Sequence, residues 1–292
     1  MGTFRASRIL AQFAVLTLPL MPVQAVLVHV APLAARRFPH WYHRKVCRLL
    51  GVTLNIEGHV AQDRPVLLVC NHSSWLDIPV LSAVAPLSFV AKKEVGGWPF
   101  VASLARLQQS VFIDRTRRQS AGESTEAIVQ RLLRGDTVVL FAEGTSSDGN
   151  RVLPFKTSLF GVAEQLNGQA AGYQVLVQTA AVVYTHLHGV PLGRADRPKV
   201  GWYGDMEMLS HAWQVLKSGP LRATITVNPP QPVANYKDRK DMALATEREV
   251  RGAVLAIQRQ KSGGEIPVPV EPDAEMRRAA SAMRARSGEK WT

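Results

Sequence analysis

The sequence predicts a single α/β domain behind an N-terminal membrane-embedded helical segment. Three observations carry this expectation. Apolar runs of strand length alternate with amphipathic stretches from Pro65 to Gln258, the pattern of β–α units rather than of a bundle or a sandwich. No Asp, Glu, Lys or Arg occurs from Ile9 to Ala35. Finally, Asn71-His72-Ser73-Ser74-Trp75-Leu76-Asp77 follows directly on Pro65-Val66-Leu67-Leu68-Val69-Cys70. A His and an Asp thus stand just past a buried strand, where open α/β sheets place their ligand sites.

At 1.5 Å per residue, the uncharged stretch Ile9–Ala35 is long enough to cross a hydrocarbon core of about 30 Å. Pro19, Pro22 and Pro32 interrupt it, so a kinked span and a broken helical pair lying in one leaflet are both expected forms. Arg5 and Arg8 precede it, and Arg36, Arg37, Arg44, Lys45 and Arg48 follow. The heavier basic flank lies on the domain side, which places that side in the cytoplasm. A secretory signal cleaved near Val23-Gln24-Ala25 is the competing reading, and the length and prolines of the apolar region disfavour it.

Arg36 to Leu50 reads as a basic amphipathic helix whose Trp41 and Tyr42 suit a membrane interface. Strands are expected at Val66–Cys70, Ser88–Ala91, Val111–Ile113, Thr137–Phe141, Val175–Tyr184 and Leu221–Val227. Helices are expected at Trp75–Val84, Pro99–Leu107, Ser120–Arg134, Thr157–Leu166 and Met242–Gln258. From Lys261 the chain is rich in Gly, Pro and charge, which reads as a mobile basic tail. The expected organisation is an anchoring segment over 1–38, a domain over 39–260 and the tail over 261–292.

The His/Asp spacing constrains geometry. Two residues five positions apart on one helix point about 140° from each other. His72 and Asp77 meet only if His72 lies before the helix and Asp77 in its first turn, an arrangement that a Ser74 N-cap supplies. Neutral imidazole is the usual general base near neutral pH, and a carboxylate fixing its tautomer improves it. Ser74-x-x-Asp77 is equally a capping box, in which Asp77 only caps.

Other groups are weaker alone. Arg115, in Phe112-Ile113-Asp114-Arg115, puts a guanidinium at a strand end, suited to phosphate or carboxylate. Glu143-Gly144-Thr145 ends another strand, with Gly144 permitting a tight turn against a ligand. Gly144 to Gly149 misses the nucleophile-elbow spacing by one residue, which disfavours a serine hydrolase. His186 and His188 bring no third ligand into view, so no metal site is expected. Cys47 and Cys70 form no C-x-x-C and suit buried positions in a reducing compartment.

The chain has 292 residues, 46% of them hydrophobic, and a net charge of +12. Its size suits one large α/β domain, and its charge implies an anionic partner. Aromatic residues are only 7% of the chain, and no nucleic-acid motif accompanies them, so nucleic acid is not the expected partner.

Taken together, His72-x4-Asp77, Phe112-Ile113-Asp114-Arg115, Glu143-Gly144-Thr145 and the apolar strand near Val175–Tyr184 have the order and rough spacing of the glycerolipid acyltransferase family. The chain resembles its 1-acylglycerol-3-phosphate O-acyltransferases over about Pro65 to Val190. Lys93-Glu94 and Pro99 match secondary positions. The resemblance implies a mixed, mostly parallel sheet flanked by helices. It also implies a co-substrate thioester on acyl carrier protein or coenzyme A, with no bound cofactor. Carried over by position, His72 is the general base, Asp77 orients it, Arg115 binds the acceptor's anionic head, and Glu143, Gly144 and Thr145 position the acceptor. Ala142 stands where the family has Pro before the Glu, and Thr179 or Ala180 where the last motif has Pro, which loosens the acceptor-site assignment.

Trp41–Val52, Ser147–Phe160, Tyr184–Arg194 and Gly201–Met206 are similar to the lyso-ornithine lipid O-acyltransferase branch. What this implies is acyl transfer to a lysolipid hydroxyl at the cytoplasmic face of a bacterial inner membrane, with lyso-ornithine lipid as acceptor. Lysophosphatidic acid is the alternative acceptor. The rival classes are a non-catalytic binder of anionic lipid or nucleic acid, and a periplasmic hydrolase.

Overall fold

The computed structural model describes residues 2–113, 120–162, 165–166 and 175–260. Arg115 and the basic tail from residue 261 lie outside the described residues. Met1–Gln258 form one compact unit.

The chain begins with two helices, α1 (Gly2–Val30) and α2 (Pro32–Leu50), broken at Ala31. Pro32 opens α2, where its missing N–H is harmless, and Gly51 closes it in the left-handed region at φ 75°. The apolar stretch is therefore a helical pair, and α2 crosses the expected boundary at residues 38–39 unbroken. Strand β1 (Val52–Glu57) follows, then β2 (Val66–Cys70), α3 (Asp77–Ser82), β3 (Ser88–Lys92), a 3-10 turn (Lys93–Gly97), α4 (Val101–Leu107) and β4 (Val111–Ile113). Next come α5 (Ser120–Leu133), β5 (Thr137–Phe141), a 3-10 turn (Thr157–Phe160), β6 (Leu176–Leu187) and β7 (Val190–Pro191). The described residues close with α6 (Met208–Ser218), β8 (Leu221–Val227), β9 (Gln231–Pro232) and α7 (Arg239–Gln260).

One sheet runs in the order β1-β8-β6-β2-β5-β3-β4. Its strands from β6 to β4 are mutually parallel, β8 is antiparallel to β6, and β1 pairs parallel with β8. The sheet is thus mixed and mostly parallel. Every residue of β2 and of β5 is buried, as expected of strands covered on both faces. Alternate side chains feed two cores. Val66, Leu68 and Cys70 face one with α2 and α3, and Leu67 and Val69 face the other with α5 and α7.

Several boundaries differ from expectation. Helix α3 starts at Asp77 rather than Trp75, so Pro79 falls in the first turn, where it removes no ladder bond. Residues 93–97 turn as a 3-10 helix, and α4 begins at Val101. The helix expected from Thr157 opens instead as a 3-10 turn, and β6 runs three residues past Tyr184. Strands β1, β7 and β9 and helix α6 were not anticipated.

Helix α1 docks along the domain by one face. Ala6 and Ile9 are buried in a core. Thr17 Oγ1 meets Tyr42 Oη at 2.7 Å, and the Gln24 amide donates to Ala35 O and Leu107 O, each at 2.9 Å. The Arg5 guanidinium donates to Leu50 O at 2.9 Å and to Leu216 O. Polar contacts therefore run from the first turn to the last third of the helix. Phe4, Leu10, Val15, Leu18, Val23, Val26 and Val30 remain exposed. By length and composition α1 alone, among the described helices, could cross a membrane.

Candidate active site

The site forms where β2 and β5 end side by side, Cys70 opposite Phe141. Leaving β2, Asn71 turns its buried side chain toward β6. Its amide accepts from Val182 N–H at 2.8 Å and donates to Val182 O at 2.9 Å. A side chain thus completes the pairing that the departing backbone abandons.

His72 comes next, before the helix, and Asp77 opens α3. His72 Nδ1 donates to Asp77 Oδ2 at 2.8 Å. The same oxygen accepts the backbone N–H of Ser73 at 2.7 Å and of Ser74 at 3.0 Å. One carboxylate thus orients the imidazole and ties down the loop before α3, and the helix's N-cap position falls on Leu76, with no side-chain cap, rather than on the expected Ser74. Asp77 is fully buried, whereas the His72 side chain keeps 17% of its surface exposed. An ionised carboxylate only accepts, so Nδ1 carries the proton and Nε2 keeps its lone pair as the ring's basic site. The Phe141 ring stacks on the imidazole, centroids 4.1 Å apart, and limits its rotation.

Glu143 is also buried. Its Oε1 accepts from His72 N–H and its Oε2 from Leu153 N–H, both at 2.8 Å. Burial pushes its pKa up to about 8, with the two amides acting in the opposite sense. Glu143 thus staples the His72 loop to the segment after β5. Gly144 sits at φ 71°, where an added Cβ would come within 2.9–3.0 Å of the Lys156 side chain. Thr145 is exposed on the same turn. Ser147 N–H donates to His72 O at 2.9 Å, and Trp202 N–H to Ser73 O at 2.8 Å. Three loops are therefore knitted around the dyad by main-chain bonds. Beside them Arg151 and Arg197 line a crevice with Asn71, Ser73, Ser147 and Tyr184.

The structure brings His72, Asp77 and Glu143 together and sets Gly144 and Thr145 on the adjoining turn. Sequence reasoning missed Asn71, Phe141, Trp202, the two arginines and Tyr184, whose hydroxyl donates to Asp77 Oδ1 at 2.7 Å. No local motif signals these partners, because each pairing spans separate elements. Burial pushes the Cys47 thiol up to about 12 and the Cys70 thiol well above its ordinary value, so neither offers a ready thiolate. Among the described residues, no group of three potential metal ligands comes together.

The acyltransferase family profile matches residues 51–183, which contain His72, Asp77, Glu143, Gly144 and Thr145. A lyso-ornithine lipid O-acyltransferase of Brucella abortus is 42% identical over 91% of this chain and 98% of that protein. The chain belongs to the acyltransferase family. The lyso-ornithine lipid O-acyltransferase of Rhizobium meliloti is 41% identical over 80% of each chain. A 1-acyl-sn-glycerol-3-phosphate acyltransferase of Neisseria meningitidis is 32% identical over 72% of this chain and 78% of its own. Among solved structures, the 1-acyl-sn-glycerophosphate (LPA) acyltransferase PlsC from Thermotoga maritima superposes with a TM-score of 0.62. It is 20% identical and covers 88% of this chain and 95% of its own, a likeness of fold. This acyltransferase therefore keeps its family's α/β sheet behind an apolar N-terminal helix.

Proposed function

We propose that this acyltransferase moves a fatty acyl group from a thioester, on acyl carrier protein or coenzyme A, to the hydroxyl of lyso-ornithine lipid. The observation that carries the chemistry is the His72 Nδ1–Asp77 Oδ2 contact of 2.8 Å. It leaves Nε2 as the basic atom on a partly exposed ring. In this reading the acceptor hydroxyl gives its proton to Nε2 and its oxygen attacks the thioester carbonyl. A tetrahedral intermediate forms. It collapses with rupture of the C–S bond, and His72 returns the proton to the departing thiolate. No enzyme-bound acyl group is needed, in keeping with the high thiol pKa values.

Identity of 42% over nearly the whole of a lyso-ornithine lipid enzyme supports that acceptor, against 32% for the lysophosphatidic acid enzyme. Arg115 would then hold the ornithine carboxylate, and Gly144 and Thr145 would place the acceptor. The burial of Glu143 against two backbone amides favours a positioning role for it within the loop. Acyl transfer by the purified protein in detergent, with both lysolipids offered side by side, tests the assignment. Preference for lysophosphatidic acid would overturn the acceptor and keep the chemistry.

The protein in this reading sits on the cytoplasmic face of a bacterial inner membrane. Residues 1–38 serve as its anchor, residues 39–260 as the catalytic domain and residues 261–292 as a basic tail toward anionic lipid. Helix α1 is held to the domain from Arg5 to Gln24, which favours immersion in one leaflet over a free span.

A further inference from the structure

We infer that Tyr184 is a positioning residue for catalysis, acting on His72 through Asp77. The inference rests on the reading of His72 as the base. Tyr184 lies on β6, 107 residues from Asp77, and its ring is buried beside β2 and α3. It stands opposite Ala223 of β8, where a small partner leaves room for the ring, and the β6–β8 register shifts between Tyr184 and His186. Irregularities of that kind re-aim side chains beside active sites.

A tyrosine ring fills this apolar site no better than phenylalanine, and its hydroxyl must be hydrogen-bonded once buried. That hydroxyl goes to the carboxylate that holds the catalytic imidazole. Asp77 then has both oxygens engaged. Oδ2 takes His72 Nδ1–H and two backbone amides, and Oδ1 takes Tyr184 at 2.7 Å. With Oδ1 tied to a different strand, the carboxylate plane cannot rotate and carry Oδ2 away from Nδ1. The phenol also draws off part of the negative charge that His72 would otherwise feel. The other titratable or charged groups around the trio are Cys70 on β2, Cys47 on α2, Glu143 after β5, and Arg151 and Arg197, which line the crevice that Tyr184 also lines. The two thiols stay neutral through the working range.

The experiment measures kcat and KM against pH, in detergent, for the full chain and for Tyr184→Phe, Asp77→Asn, the double variant and His72→Ala. Tyr184→Phe should lower kcat about tenfold, the size of one charge-assisted hydrogen bond, with KM unchanged. Its acid limb should move to higher pH, because the carboxylate then concentrates its charge on the imidazolium. In the Asp77→Asn background the same substitution should change little, since the group it acts through is gone. Replacing Tyr184 with 3-fluorotyrosine, which keeps shape and sharpens the donor, should move the acid limb to lower pH. It also serves should the Phe variant fold poorly. Unchanged kcat and pH profile in both Tyr184 variants, or equal losses with and without Asp77, would overturn the inference while a dead His72→Ala upholds the base. An active His72→Ala would instead overturn the reading beneath it.

Discussion

Two buried carboxylates lie close to one imidazole, and they do different things. Asp77 accepts from His72 Nδ1 and sets its tautomer, so its partner's other nitrogen is the basic one. His72→Ala should reduce turnover by about 10²–10⁴-fold, the usual value of a positioned base, while the protein stays folded and membrane-bound. Turnover assays beside circular dichroism check both halves. Among the described residues Glu143 accepts from the backbone amides of His72 and Leu153, and burial pushes its pKa up to about 8. Between its ordinary carboxylate value and about 8, the folded state holds a proton that the unfolded chain has released. Stability therefore falls as pH rises across that window and levels off above it. Thermal melts from mildly acidic to mildly alkaline pH should show this decline in the native protein and a flatter course in Glu143→Gln. A native melting temperature that climbs through the window would contradict the assignment.

Among the elements, the two halves of the dyad come from a strand end and a helix start, and Asn71 joins that strand end to β6. Asn71→Ala strips the partners from both the N–H and the C=O of buried Val182. The expected loss is about 1–3 kcal/mol, read by urea unfolding, together with reduced turnover as the His72 loop shifts. The elements themselves were legible where the pattern was strong. Thr137–Phe141 and Leu221–Val227 emerge with the expected bounds because β-branched runs are flanked by turn residues. Helix α6 escaped notice although Glu207 caps it and Gly219 follows it, since only Val215 and Leu216 are buried in it. Strand β1 alternates Val52, Leu54 and Ile56 at a sheet edge, a short signal between a helix and a polar loop. The spacing of His72 and Asp77 admitted their pairing, because only five positions separate a strand end from a helix start, but it admitted a simple cap as well. Tyr184 could not be read, because only the adjacency of β2 and β6 brings it to α3.

At the scale of the whole molecule, chemistry and membrane attachment share one fold. Helix α1 buries one face against the domain and leaves seven large apolar side chains exposed between Phe4 and Val30. Val15→Lys with Val26→Lys should move the protein from the vesicle-bound to the soluble fraction with little change in folding. Single cysteines at Phe4 and Val30 should both react with a membrane-impermeant maleimide from the same side of the membrane, as a helix within one leaflet requires. Labelling of the two from opposite sides would establish a span. The account as a whole turns on acyl transfer at His72 to a lysolipid hydroxyl. Its most direct test is the purified protein in detergent with radiolabelled acyl carrier protein thioester and lyso-ornithine lipid, native beside His72→Ala. Labelled ornithine lipid from the native protein and about a hundredfold less, or lower still, from the variant is the expected result. Equal product from both would contradict the base, and product from neither would contradict the acceptor or the donor.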